Sequence, residues 1–462
     1  ETANWGRSII DKDGWDWANH PDGLHYFNFK PEVLKETVKS PAFLGVMYDE
    51  PEHMQMHNNY IFVNGEKFNL PFFADTKGMS LTEAEDAVNK RAARVVNEYK
   101  TAGTLHIAAE HVFPVLFHNF ASAGMTLSYK QMKENWNPVW AACAMGAALQ
   151  YNAELWACID LWGIGKYPGH SPDELKNNLI YAHWLGNDRI YVENLNYNGS
   201  LYSVITDDSG IQSIKLSEYG EIFRWFAKEY LPNNPRNYTF RDLRPDVAII
   251  RFDDTDCGQG IQRDWDSPAL KNQLYGNSLI KSNEITSNWI KIWHLISHGE
   301  ILKESLSWNF GKKTVYSKIP HKSFAPVNNV VVFDEKVRKN NMKTLKLAFL
   351  TGITVSKATL EDLQELVKEN GLIVVSTPEL TPESIKKQYT EGTFIIDDGK
   401  KGGKWIVTDN VLDEKVREQV KPYLGNNDEM RYVFGENQVL FKLEDADTIS
   451  VSINGENKFK NE

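Results

Sequence analysis

From residue 43 to residue 197, short apolar runs alternate with longer amphipathic ones, and most of the apolar runs stop on an acid. Apolar runs of about five residues suit strands buried on both faces, while the segments between them carry the 3.6-residue period of helices. A strand that rejoins its sheet through a helix lies parallel to the strand before it, so the alternation predicts a parallel sheet with crossover helices. The expected strands are Phe43–Tyr48, Leu105–Ala109, Thr126–Tyr129, Leu155–Ile159 and Arg189–Val192. Between them the spacing predicts helices over Leu81–Lys100, with Ser80 as N-cap and Glu83 closing a capping box, then over Val112–Ala123, Pro138–Tyr151 and Pro172–Leu185, the last capped by Ser171.

The acids at the strand ends are Glu50 in Asp49-Glu50-Pro51, Glu110 in Glu110-His111, Asp160, and Glu193 in Glu193-Asn194. In a (β/α)8 TIM-type barrel the carboxyl ends of the strands form one face, so acids far apart in sequence converge there. An eight-stranded barrel needs about three further strands before Phe43. Ser8–Ile10 and Tyr26–Phe29 are weak candidates, so the expectation is a barrel whose first strands precede residue 1. On that count Glu50 follows the fourth strand, Glu110 the fifth, Asp160 the seventh and Glu193 the eighth.

Ser217–Tyr230 reads as a helix broken by Leu231-Pro232-Asn233-Asn234-Pro235-Arg236, which sets the expected end of the barrel unit at residue 236. Beyond it Asp246–Phe252, Asn329–Phe333, Leu345–Leu350, Leu372–Val375 and Thr393–Ile396 read as strands, and Trp289–Ser297 and Leu360–Glu369 as helices. This predicts a doubly wound α/β unit over 237–440. Gln438–Leu443 and Thr448–Ile453 alternate as hairpin strands, so 441–462 is expected as a small C-terminal β extension.

Two carboxyl groups flanking one bond are what glycoside hydrolysis requires, one protonated to donate and one ionised to attack or to activate water. Glu50 is the expected donor, with Asp160 and Glu193 ranked almost equally as its partner. Asp49 beside Glu50 admits a substrate-assisted N-acetylhexosaminidase instead, and a carbohydrate-binding protein that lost one carboxylate is a third reading. Nine of the 14 tryptophans lie before residue 240, and flat rings next to polar groups are what a sugar cleft uses. Trp15, Trp17, Tyr48, Asp49, Glu110, His111, Trp162, His170 and Asn194 are therefore the expected substrate-binding residues.

Other chemistries have less support. Cys143, Cys158 and Cys257 lack zinc or disulfide spacing, no HExxH motif occurs, and no GxGxxG follows a strand into a helix, so no metal and no cofactor are expected. Asp253-Asp254-Thr255-Asp256-Cys257-Gly258 lacks the distal Glu of a calcium loop and is expected to be a structural turn. A net charge of −11 without long basic runs argues against a nucleic-acid partner. No window is long and apolar enough to span a membrane. A secreted or periplasmic location, with a signal removed before residue 1, is expected over a cytosolic one.

The strand ending in YDEP, the later strand ending in YVEN, and the segments VAIIRFDDT and LAFLTGITVSKATLEDLQELVKENGLIVV resemble retaining-type (β/α)8 glycoside hydrolases of the broad clan A kind followed by a class I glutamine-amidotransferase-like domain. That domain order is similar to the glycoside hydrolase family 42 β-galactosidases and covers about residues 40–440. The resemblance implies an acid/base at Glu50 and a nucleophile at Asp160. It also implies a non-catalytic amidotransferase-like domain that supports homo-oligomers. Two positions depart from the pattern, which has Asn-Glu at the first site and Glu at the second.

Overall fold

The computed structural model describes residues 31–56, 60–63, 66–69, 73–132, 136–161, 170–193, 201–254, 284–301, 323–397, 401–445 and 447–461. The first half carries strands β1 (Gly45–Asp49), β2 (Tyr60–Val63), β3 (Glu66–Asn69), β4 (His106–His111), β5 (Thr126–Gln131), β6 (Leu155–Asp160), β7 (Arg189–Glu193), β8 (Tyr202–Thr206) and β9 (Gln212–Leu216). Five of these form one parallel sheet in the order β1-β4-β5-β6-β7, each strand beside its sequence neighbour, as in one arc of a barrel. Each of the five expected strands is present and ends one or two residues later than the apolar run, so the terminal acids belong to the ladder or immediately follow it. Asp49 pairs with Glu110, and Asp160 with Glu193. Ser8–Ile10 and Tyr26–Phe29 lie outside the described residues.

Crossover helices cover the convex side. The helix Leu81–Thr101 begins on Ser80 with a reciprocal capping box to Glu83, and Pro172–Trp184 does the same through Ser171 and Glu174. The expected helix over Val112–Ala123 is a correction. Only Phe117–Ser122 is helical, because Pro114 lies in the segment and Leu116 has a left-handed φ of 60°. The freed stretch becomes a loop leaving the end of β4, close to the acid that ends the strand.

The helix Asn137–Tyr151 is buried from Asn137 to Ala148 and is Ala-rich all round. A helix without a polar stripe must be covered on every side. It packs between β5 of the first sheet and β11 (Val330–Asp334) of a second. That sheet joins β11 to β10 (Val247–Arg251), β12 (Leu347–Thr351), β13 (Ile373–Ser376), β14 (Phe394–Asp397) and β15 (Lys404–Val407), in the order β11-β10-β12-β13-β15-β14. All its ladders are parallel except β14 with β15. Sequence reading missed β15, whose four residues Lys404–Val407 follow a Lys/Gly-rich stretch.

The C-terminal strands make a separate antiparallel sheet of four, β16 (Glu429–Phe434), β17 (Asn437–Leu443), β18 (Ile449–Ile453) and β19 (Glu456–Phe459). It starts at Glu429, upstream of the expected residue 441. Asn329 donates its backbone N–H to Arg431 O and Tyr181 packs on Phe441, so this sheet is seated on both larger units.

Candidate functional site

Period-two alternation sends every second residue of the first sheet to its concave face. These side chains stack in layers along the strands. At the amino end Arg189 lies over the Trp156 ring at 5.2 Å, and His106 Nδ1 is 3.1 Å from Glu154. One layer higher the Tyr191 hydroxyl is 2.9 Å from Ser128 Oγ and bonds to Glu110 Oε1. The next layer, at the carboxyl ends, is where acids from four strands meet.

At its centre is Lys130. Its Nζ lies 2.9 Å from Glu50, 2.8 Å from Glu193, 3.4 Å from Glu110 and 3.5 Å from Asp160. The Lys130, Glu110 and Asp160 side chains are 4%, 3% and 2% exposed, while Glu50 and Glu193 keep 13% and 16%. Four strand spacings of a flat sheet would hold β1 and β7 about 19 Å apart. One ammonium reaching the acids of both edge strands means that the sheet is strongly curled, and it leaves the Glu50 and Glu193 carboxyl oxygens within about 6 Å of each other.

Environment separates these two acids. Burial pushes Glu50 up, but the Lys130 charge and a hydrogen bond from His53 Nδ1 at 2.8 Å outweigh it and hold Glu50 well below the usual carboxylate range. For Glu193, burial and then the charge of its ladder partner Asp160 win over Lys130, and its carboxyl is pushed well above that range. Burial works against a charged Lys130, yet Glu110, Glu193, Glu50 and Asp160 together hold its ammonium well above the usual lysine value. Thus the two acids are shifted in opposite directions, and a fixed cation sits between them.

Glu50 also has an unusual backbone. Its φ is 43°, at a sharp turn from β1 into the short helix Pro51–Met56, and its carbonyl accepts the Met54 N–H at 3.2 Å. A left-handed non-glycine residue before a proline is strained, and such strain persists where packing over-determines it. Packing does so here. The next acid, Glu52, is fully buried and accepts the N–H groups of Val112 and Phe113 at 2.6 and 3.2 Å, tying the Glu50 turn to the loop after β4. Asp253, just past β10, accepts the N–H of Leu116 at 2.8 Å and holds the same loop from the second sheet.

Among the sequence-predicted residues, Glu50, Asp160, Glu193 and Glu110 come together in this layer, and Asp49 sits beside Glu110 in the ladder. Tyr48 is directed to the convex side, against Phe73 and Tyr99. His111 is fully buried, stacked on Phe117 with ring centroids 3.9 Å apart, and bonded through Nδ1 to Val115 O; burial pulls its pKa down to about 3, so it is neutral. His170 bonds through Nε2 to Gln131 O at 2.8 Å. Trp15, Trp17, Trp162, Asn194 and Cys257 lie outside the described residues. Lys130, Tyr191 and Ser128 are not among the residues expected from sequence. Ser128 and Lys130 are two apart and therefore share a face, but nothing local in the sequence marks that face as the one the four acids share.

Glu110, Cys158 and Glu193 bring possible metal-ligand atoms within 4.8 Å of one another. Lys130 lies against two of the three, and burial keeps the Cys158 thiol well above its ordinary pKa. An ammonium already occupies the place a cation would take, and these residues do not fit a metal ion. No described helix is long and apolar enough to cross a membrane.

No protein-family model matches the chain, and no curated protein matches it. Among solved structures the chain is similar to apo exo-carrageenase GH42 from Bacteroides ovatus, with a TM-score of 0.42 and 10% sequence identity over 81% of this chain and 51% of that one. The chain thus spans about half the length of that protein.

Proposed function

We propose that the chain is a glycoside hydrolase that cleaves a glycosidic bond in an oligo- or polysaccharide, with Glu50 and Glu193 as its carboxylate pair. The observation that carries this reading is the pair itself: two acids from opposite edges of a curled sheet that meet at one ammonium, with the pKa of Glu50 held below and that of Glu193 pushed above the usual carboxylate range. The two oxygens that touch Lys130 stand no more than about 6 Å apart, and direct attack, which needs about 5–5.5 Å between carboxyl groups, is proposed over a water-mediated route at about 6.5–9.5 Å.

In the proposed reaction Glu193 gives its proton to the leaving oxygen as the glycosidic bond breaks, and the Glu50 carboxylate bonds to the anomeric carbon. Glu193, now ionised, takes a proton from water, whose oxygen displaces Glu50 and regenerates both groups. These roles are the reverse of the donor role expected for Glu50 from strand order. Asp160 and Glu110 keep the field around Glu193 negative, which favours its protonated form before the first step. Trp15, Trp17, Trp162 and Asn194 are proposed to line the sugar cleft. Residues 237–440 are proposed as a non-catalytic amidotransferase-like support that mediates oligomers, in a protein working outside the cytosol.

The test is hydrolysis of a panel of aryl glycosides and plant, algal and host polysaccharides by wild type, Glu50→Gln, Glu193→Gln and Asp160→Asn, all checked for equal folding. Loss of about three or more orders of magnitude in rate for Glu50→Gln and Glu193→Gln, with a smaller loss for Asp160→Asn, is expected. If Asp160→Asn matches Glu50→Gln while Glu193→Gln stays active, the pair is Glu50 and Asp160. Binding of a glycan without cleavage, equal in all four proteins, would replace the hydrolase reading by a binding one.

A further inference from the structure

We infer that Lys130 is a positioning residue whose ammonium, seated between Glu50 and Glu193, assigns the two carboxylates their separate roles. An ammonium has three N–H donors, and here four carboxylates surround it. Its two shortest contacts, 2.9 and 2.8 Å, go to the acids of the two edge strands. Lys130 is on the central strand β5, 4% exposed, so it reaches both edges from the middle of the curl. The groups facing it are Glu50 beyond β1 with His53 behind it, Glu110 on β4, Cys158 and Asp160 on β6, and Tyr191 and Glu193 on β7.

The asymmetry follows from what else each acid meets. Glu50 adds the His53 bond to that of Lys130, while Glu193 faces Asp160 in the ladder and the Cys158 thiol at 3.9 Å. A cation shared by both therefore leaves Glu50 fully compensated and Glu193 not. Without it, four carboxylates would share a nearly closed space, Glu50 would take up a proton, and the ionised nucleophile would be lost. This inference rests on the hydrolase reading only for its activity arm.

Carbon-13 NMR titration of glutamate carboxyl groups, with signals assigned through Glu50→Gln and Glu193→Gln, reads the inference directly and requires no substrate. In wild type the Glu50 carboxyl is expected to titrate well below an ordinary glutamate and the Glu193 carboxyl well above one. If the two titrate together in wild type, the inference is overturned without any variant.

In Lys130→Met, which keeps length and removes charge, the Glu50 midpoint is expected to rise by at least about two pH units. In Lys130→Ala, ethylammonium is expected to return part of that shift. Should Lys130→Met fail to fold, Lys130→Met with Asp160→Asn removes one of the four acids left facing each other. An unchanged Glu50 midpoint in either folded variant overturns the inference. Where wild type cleaves a glycoside, the acid limb of kcat/KM is expected to move up with Glu50, a change that a merely structural lysine would not cause. If the carboxyl titrations behave as expected but no glycoside is cleaved, the hydrolase reading fails and the role of Lys130 in setting the two acids stands.

Discussion

Gly146 lies in the middle of a helix, where alanine is ordinarily worth about 1 kcal/mol more than glycine, so helix propensity alone says that Gly146→Ala stabilises. The tertiary structure says the opposite. A Cβ at residue 146 would stand 1.7 Å from the Val332 carbonyl oxygen and 2.5 Å from its carbon, where ordinary contact begins near 3.4 Å. Both neighbours are backbone, so no side chain can rotate away, and the helix Asn137–Tyr151 and strand β11 would have to part by more than 1 Å. The same Val332 oxygen accepts from His118 Nε2 at 3.0 Å, and Asp334 on that strand holds Gln150 and Tyr151 of the helix. Overpacking of this kind costs about 1–3 kcal/mol and a broken buried hydrogen bond about 1 kcal/mol more; after subtracting the helix gain, Gly146→Ala is expected to destabilise by about 1–3 kcal/mol. Equilibrium urea unfolding followed by tryptophan fluorescence measures it. A variant as stable as wild type, or more so, would refute the reasoning and with it the close seat of this helix on the second sheet.

Asp253→Ala removes the acceptor for the Leu116 N–H and a carboxylate 3.0 Å from the buried Arg251, and is expected to cost about 2–4 kcal/mol. Faster hydrogen exchange is expected in 112–116, and unchanged exchange there would count against a clamp from the second sheet on the loop after β4. Glu335 has its pKa raised to about 8, by burial first and then by the charges of Asp334 and Glu85, against the pull of Lys336. Because the folded value lies above the unfolded one near 4.5, its contribution is fully present below about pH 4.5 and is lost as pH rises toward 8. Glu335→Gln is therefore expected to flatten the fall of stability over that range and to gain about 1–3 kcal/mol at pH 8–9. Parallel wild-type and variant unfolding curves across pH 5–9 would contradict it.

How much of this was legible beforehand depended on whether the signal was local. Ser80 with Glu83 and the cap Ser171 mark helix starts within a few residues; the expected box at Ser80 is formed, and Ser171 is joined by Glu174 in a second one. The five strands of the first sheet announced themselves as apolar runs, and their terminal acids were read as a group. A helical pattern continues through 112–116, and the loop there is set by Pro114 and by the acids Glu52 and Asp253, which are distant in sequence and accept its N–H groups. The C-terminal sheet takes in Glu429–Phe434 as well as the hairpin pattern, because that strand pairs with the one that follows it, a partner its own residues do not announce.

Local sequence was enough to put acids at the ends of parallel strands, because period and punctuation are properties of a few adjacent residues. Which acids meet, and in what protonation state, was decided by the curl of the sheet. Curling brings Glu50 and Glu193 to one ammonium across three intervening strands, and the field at each carboxyl comes from residues tens of positions away. A pKa is set by burial and by charges within a few ångströms, and those distances exist only after the chain has folded.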